Sequence, residues 1–569
     1  LFYVDRYSLG GTCSNSNSGT IDHPLCSITT ANSRVQPGDT VYIRGGVYQG
    51  DYIMPAVSGT EAQRITYMNY NGEEVSIRDG TYGIMLGSGI SYITVEGIEC
   101  YNLRYHLNIN GGAYNVIEDC VFDGMGTNPP WQMARLYNNA NYNQILDSAF
   151  SHWGYMSSGN QDYGCLLDIG NDNSSTDNSH HNLVEGCDFS YGGHHLLGNY
   201  GEYNVIRDNT FHNEEWYSCQ WTETGGLCGN RNIIAYGDST HKGWSVYEGN
   251  VFAFSGVPPD GITSSGFSLR EPHNIVRGNV FYYNDGAGLS IETYESVGNY
   301  ANNNYVYSNV FYANSYHIMP DQEVRDVTAI AVQRHRGNLI YDLSFKNNAF
   351  YANNGPNFYF YYVNAADQEF AGNWETGDPK FVDVEGPDPT DPNCFDFHLQ
   401  ETSPLIDSGV FLTSISSSDG SGNTFRVVDA GYFTNGFGVV EGDTIQLEDS
   451  DERLTVTAVN YDENEITVNK VITWQYGQGV ALSYEGSAPD VGAYESVPLP
   501  VCMQADVNSD GKVDGQDLAI WQQHYDPLEL NENTHAGGDV NEDGRVDGVD
   551  LALWQQQYDP IGIGTCEPI

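Results

Sequence analysis

The chain has 569 residues, 40% apolar and 13% aromatic, which is too long for one compact core and too apolar for a disordered polymer. Its 22 Lys and Arg stand against 75 Asp and Glu, a formal net charge of −53. Such a surface repels nucleic acid and anionic membranes and attracts cations, and no apolar run nears the ~18 residues a membrane span needs.

The chain opens at Leu1 without a recognisable signal segment, as expected of a mature, processed protein. Its 11 cysteines suit an oxidising compartment, so secretion is expected. Cys13 and Cys26 bracket a short Gly- or Ser-rich loop, as do Cys219 and Cys228, while Cys502 and Cys566 bracket a terminal repeat. These six are expected to pair. Cys100, Cys120 and Cys187 fall inside strand patterns and are expected to be buried thiols.

One phrase then recurs through the middle of the chain: NVIEDCVF from Asn115, NQILDSAF from Asn143, NLVEGCDF from Asn182, NVIRDNTF from Asn204, NIVRGNVF from Asn274 and NYVYSNVF from Asn304. Apolar residues alternate within each copy, which is strand periodicity. The closing residues Phe122, Phe150, Phe189, Phe211, Phe252, Phe281, Phe311 and Phe350 recur at uneven spacing, as expected of stacked coils with loops of different length. Two residues before the Phe stand Asn209, Asn250, Asn279, Asn309 and Asn348, with Cys120, Ser148 and Cys187 in earlier copies. Stacked coils would form these into a ladder that satisfies backbone groups at a tight turn. A second apolar strand precedes each phrase, as in HLNI from His106, LLDI from Leu166 and AIAV from Ala329.

These repeats resemble a right-handed parallel β-helix over about residues 1–408, the fold common among pectin-, alginate- and chondroitin-degrading enzymes. PGDTVYIRGGVY (37–48) resembles its first coil and cap, and SPLIDSG (403–409) and PDVGAYE (489–495) resemble its last coil. The fold class expected is therefore mainly β: a parallel β-helix over 1–409 and a final strand and linker over 489–500. Between them, GDTIQL, RLTVTAV and NEITVNKVITW alternate strictly, so 410–488 should form an inserted small β-barrel or sandwich.

The last segment, 501–569, contains DVNSDGKVDGQDLAIWQQHYD from Asp506 and DVNEDGRVDGVDLALWQQQYD from Asp539. Oxygen-bearing side chains fall at loop positions 1, 3, 5, 9 and 12: Asp506, Asn508, Asp510, Asp514 and Asp517, then Asp539, Asn541, Asp543, Asp547 and Asp550. Lys512 and Arg545 would add backbone carbonyls at position 7, and Gly511 and Gly544 allow the sharp turn. Such spacing wraps hard oxygens round one calcium ion per loop, with a short helix following each. Two tandem units resemble a type I dockerin, which implies a small α-helical domain and a cohesin-like partner. Leu518, Ala519, Leu551 and Ala552 fall at the family's partner-contacting positions. Docking onto another copy of the same chain is the alternative.

Chemistry in such a fold is expected on one outer sheet face. Aligning the second strands places Asp168, Arg270, Glu292 and Gln333 outward, with His194 and His195 entering after Asp168. Neighbouring loops add His212, Glu214, Glu215, Glu223, His241, Glu271, His273, Arg334, His335 and Arg336. A uronate lyase needs a charge neutraliser and a base, which Arg270 with His195 or His273 could supply. A glycosidase needs two carboxyls about 5–10 Å apart. Asp168 and Glu292 are too distant for that, whereas Glu292 and Glu271 are conceivable. Arg270 with Glu292 also reads as a plain ion pair, and His195 as a structural residue beside Tyr200. Three readings follow: an enzyme degrading an anionic or sulfated polysaccharide, a structural subunit self-assembling through its tail (42 tyrosines favour contacts), and a non-catalytic glycan-binding protein.

Overall fold

The structure is a computed structural model. It describes every residue except 125–131, 154, 157–161, 172–176, 214–230, 237–242, 256–264, 294–299, 316–327, 336–337, 385–394, 497–506, 508–512, 514, 526–537, 539–544, 547 and 558–569. The chain divides into two compact units, Leu1–Glu495 and Ser496–Ile569.

Among the described residues, the first unit winds three parallel sheets, of 13, 11 and 10 strands. Successive coils lay one strand in the first sheet, turn sharply into the second, and contribute a further strand to the third. Val116–Glu118, Val121–Asp123 and Gln132–Tyr137 make one such coil. The recurring phrase supplies the first two strands and the corner between them. At that corner one residue takes a left-handed conformation: Asp119, Asp208, Gly249, Gly278 and Asn347 have φ between 50° and 65°. Such a residue cannot continue a strand, so the chain turns there.

The Asn that follows holds the corner together. Asn279 Nδ2 donates to the Tyr247 carbonyl at 2.9 Å and to Asn309 Oδ1 at 3.0 Å, while its own Oδ1 accepts from the Asn250 N–H at 2.9 Å. Cys187 and Cys120 enter the same ladder through their backbone N–H groups, onto Asn209 Oδ1 and Ser148 Oγ. Two further ladders repeat this solution. One runs through Asn115, Asn143, Asn182 and Asn204 where the third sheet meets the first. The other runs through Asn284, Asn314 and Asn353 after the second sheet. Inside, the eight Phe rings form one column with centroid spacings between 4.6 and 5.3 Å.

Ile28–Asn32 forms a short helix at the N-terminal end of the coils, with Ser27 Oγ capping it at the Thr30 N–H. The other end departs from expectation. No strand forms over 489–495, and Leu405 and Val491 pack instead on Val280, Val310 and Ala349, on the outside of the second sheet. The cause is local composition: those coils carry apolar outward residues that need cover, where earlier coils carry Asp123 and Asp188.

Residues 410–488 form a six-stranded antiparallel sheet. Its edges meet through an Ile415–Val427 bridge, which closes it into a small barrel. The Gly409 N–H donates to the Pro489 carbonyl at 2.8 Å, so the insertion leaves and re-enters at one point. It packs on the first sheet through a buried charge cluster: Arg277 binds Asp443 at 2.6 Å and Glu248 at 3.0 Å. A cleft of about 730 Å³ lies along this seam, but its Lys346 is already held by Glu369 at 2.7 Å and the Leu412 carbonyl at 2.8 Å.

The Cys13–Cys26 disulfide is present, and Cys100, Cys120 and Cys187 are buried thiols. Cys219, Cys228, Cys502 and Cys566 lie outside the described residues. In the second unit, helices Gly515–His524 and Gly548–Gln557 follow the two acidic loops. Val507 and Val513 are buried against Ile520 and Trp554.

Candidate functional site

The outer face of the third sheet gathers the chemistry-bearing residues, and strand register sets which of them meet. One row runs Met85, Asn108, Arg135, Asp168, Gly198, Ile234, Ser268, Ser290, Ala331. The next row includes Tyr236 beside Arg270, and Glu292, Gln333 and Tyr361 in register. Asp168 therefore does not share a row with Arg270, Glu292 and Gln333. It stands level with Ser268 and Ser290, which precede Arg270 and Glu292 by two residues.

Two polar clusters result. In the first, Glu292 organises its neighbours. Its Oε1 accepts Arg270 Nε at 2.9 Å, Arg270 Nη2 at 2.6 Å and Ser268 Oγ at 2.6 Å. Its Oε2 stands 3.5 Å from His335 Nε2. The Arg270 and Glu292 side chains are 11% and 6% exposed, so this is an enclosed pair rather than a solvated one. Gln333 adjoins in register.

In the second cluster, His195 Nε2 lies 2.8 Å from Asp168 Oδ1 and 3.5 Å from the Tyr200 hydroxyl. His195 Nδ1 lies 2.8 Å from His194 Nδ1 and 3.6 Å from Cys165 Sγ. His195 and Asp168 are 1% and 3% exposed, so a polymer lying on the sheet does not reach this imidazole. The strands carrying Asp168 and Glu292 are four spacings apart, about 19 Å.

Three other candidates fall elsewhere. Glu271 is fully buried at the corner between the third and first sheets, where its carbonyl accepts Asn274 Nδ2 at 3.1 Å and Asn304 Nδ2 at 2.8 Å. His273 occupies a left-handed corner position, φ 60°, at the end of an aromatic ladder running through Tyr92, Tyr114, Tyr142, His181, Tyr203 and Trp244. Its ring stacks on Trp244 at 4.5 Å, and burial lowers its pKa. His212 is a second-sheet strand residue bound to Asp188 at 2.9 Å, not a loop residue beside the third sheet. Glu214, Glu215, Glu223, His241 and Arg336 lie outside the described residues.

Sequence reasoning passed over two residues. Arg135 donates from Nε to Asn108 Oδ1 at 3.1 Å, lies over the Tyr137 ring at 4.0 Å, and stands in register beside Asp168. The ARL segment was readable as another outward-facing strand. Cys165 became relevant only once register paired it with His195.

In the second unit, Asp517 and Asp550, at position 12 of the two loops, are 1% and 0% exposed. A carboxylate buried that deeply fits a bound cation, since its desolvation needs compensation. Arg545 is exposed, and Asp506, Asn508, Asp510, Lys512, Asp514, Asp539, Asn541, Asp543 and Asp547 lie outside the described residues. Of the partner-contacting positions, Leu518 and Leu551 are half-buried and Ala519 is exposed.

Residues 9–164 match a family described as Pel9A-like, right handed beta helix region, and residues 504–557 match the dockerin type I domain. No curated protein matches the chain. Among solved structures, pectate lyase Pel9A is 14% identical at a TM-score of 0.41, covering 87% of this chain and 96% of that one. A rhamnogalacturonan lyase is 16% identical at a TM-score of 0.39, covering 70% and 96%. The alginate lyase from Paenibacillus sp. str. FPU-7 is 12% identical at 0.31, covering 60% and 96%. The chain thus joins a Pel9A-like right-handed β-helix region to a calcium-binding type I dockerin domain.

Proposed function

We propose that this chain is a secreted carbohydrate-active enzyme that cleaves an anionic polysaccharide by elimination on the third sheet, carried on a cohesin partner through its dockerin domain. The observation that carries this reading is Glu292 holding both a guanidinium, Arg270, and an imidazole, His335, on one outer face. In elimination a base takes the proton next to the uronate carboxylate. The C–H electrons form a carbon–carbon double bond, the C–O bond to the neighbouring sugar breaks, and the departing oxygen takes up a proton. Charge builds on the carboxylate as the proton leaves. Arg270 is the group that neutralises it, since a low-dielectric setting strengthens that interaction. His335 is the base, positioned by the same carboxylate.

Arg135 lies four strands from Arg270, about 19 Å along the stack. A polymer aligned with the helix axis would meet both guanidinium groups. On a chain of net charge −53, such local cations are what an anionic ligand requires. Hydrolysis fits less well. Among the described residues of this face, Asp168 is about 19 Å from Glu292, against the 5–10 Å a glycosidase pair needs, and Glu271 is enclosed in a corner.

In the dockerin domain, each loop would hold one calcium ion, giving two, with Asp517 and Asp550 closing the coordination shells.

The test is incubation of the purified full chain with pectate, alginate and chondroitin sulfate. The expected product carries the conjugated double bond that elimination leaves, read as new ultraviolet absorbance. New reducing ends without that absorbance would establish hydrolysis and overturn the reading. Binding without any cleavage would make the protein a glycan-binding module instead.

A further inference from the structure

The second cluster on the third sheet is not used by this reaction, and its geometry points to a metal site. We propose that Cys165, His194 and His195 bind a zinc-class divalent ion, with Asp168 as the carboxylate that orients His195.

Cys165 and His195 open adjacent strands of a parallel pair and are register partners, so their side chains start from neighbouring positions. The His194 N–H donates to the Gly164 carbonyl at 2.8 Å, which fixes the residue before the strand. One donor atom from each of Cys165, His194 and His195 lies within 4.8 Å of the other two. The Cys165 thiol is fully buried and outside any disulfide.

A separate observation concerns the tautomer. Asp168 Oδ1 sits 2.8 Å from His195 Nε2, so Nε2 carries the proton and donates. The lone pair is then on Nδ1, the atom that faces both His194 and Cys165. Carboxylate–imidazole pairs of this kind fix ring orientation and raise ligand basicity at metal centres. The backbone makes room for the pair at Gly198, where a Cβ would lie 2.5 Å from Asp168 Oδ1 and 2.7 Å from His195 Nε2.

Distances favour the ion as well. With metal–sulfur near 2.3 Å and metal–nitrogen near 2.0–2.1 Å, tetrahedral ligation puts sulfur and nitrogen about 3.6 Å apart. Cys165 Sγ and His195 Nδ1 are 3.6 Å apart. The two Nδ1 atoms, at 2.8 Å, would open by roughly half an ångström to reach tetrahedral spacing. One thiolate and two imidazoles select a borderline-soft ion such as zinc over calcium, which demands hard oxygens, so this site is chemically distinct from the dockerin loops. His194 is only half-buried, whereas Cys165 and His195 are enclosed.

The test is a cobalt(II) titration of the metal-stripped full chain in excess calcium, which keeps the dockerin loops filled. Cobalt on a thiolate gives a near-ultraviolet charge-transfer band that oxygen ligands do not give. The expected result is a band saturating at about one equivalent and bleached by equimolar zinc. Cys165→Ser should abolish it, and Cys187→Ser should leave it intact. Asp168→Asn should weaken binding about 10–100-fold. His194→Gln changes a half-buried residue and should weaken binding at least about tenfold in a folded protein. No band in the unmodified chain, a band undiminished in Cys165→Ser, or full binding by folded His194→Gln would each overturn the proposal.

Discussion

Each coil of the β-helix has a corner that repeats and a face that does not. At the corner between the first and second sheets, a left-handed residue, an Asn and a Phe recur in almost the same form, joined by hydrogen bonds of 2.9–3.2 Å and ring stacks of 4.6–5.3 Å. On the outer face of the third sheet, successive coils offer Asn108, Arg135, Asp168, Gly198, Ile234 and Ser268 in one register row. A stack demands sameness where coils must satisfy one another's backbone groups, and tolerates difference on an outer face, where the ladder does not depend on which side chain each coil presents. Repetition therefore marks what holds the rod together, and its failure marks where to look for chemistry.

Perturbing the repeated side should cost stability. Phe281→Ala opens the ring column between Phe252 and Phe311 and is expected to cost about 3–5 kcal/mol, read by denaturant unfolding. A loss below about 1 kcal/mol would mean that the column relaxes into the gap. Asp443→Ala should have a similar effect at the barrel seam. It leaves Arg277, buried between sheet and barrel, with Glu248 and the Tyr307 hydroxyl, and breaking a buried pair from one side costs about 3–5 kcal/mol. Proteolysis should then release the 410–488 insertion before the coils; simultaneous loss of both would show that they unfold as one.

Perturbing the variable side should cost activity instead. Arg270→Lys retains a cation beside Glu292, so the fold should survive, but it loses the two-pronged contact. Turnover on the polysaccharide that is cleaved should fall about 10²-fold at nearly unchanged stability. Equal activity in this variant would confine the ion pair to a structural role.

The smallest effects concern pH. Burial pushes His106 down to about 4 and Glu495 up to about 8. For His106 the unfolded chain takes up the proton first, so its contribution is complete above about 6.5 and is lost as pH falls towards 4, on the order of 3 kcal/mol. For Glu495 the folded chain keeps the proton longer, so its contribution is complete below about 4.5 and is lost as pH rises through 8. Glu495→Gln should match the unmodified chain at pH 4.5 and exceed it in melting temperature above pH 8; identical curves across that range would remove burial as the cause.

The rod was legible because its signals are local and repeated. The phrase from Asn204 to Phe211 contains a strand, a corner residue, an Asn and an inward Phe, and every copy states the same thing again. The doubled acidic loop was legible for the same reason. The candidate sites were not. His273 and Glu271 lie near Arg270 in sequence, yet a corner turns both away from its face. Asp168, Arg270 and Glu292 read alike as outward because alternation fixes which face a side chain takes; it does not fix the row, since a shift of two residues preserves it. Cys165 and His195 lie 30 residues apart and meet because one coil closes between them. Sequence alone determined the coil, its corners and the docking module, since each depends on residues close along the chain. Tertiary structure decided which outward side chains share a site, because strand register is set by the lengths of loops that carry no periodicity of their own.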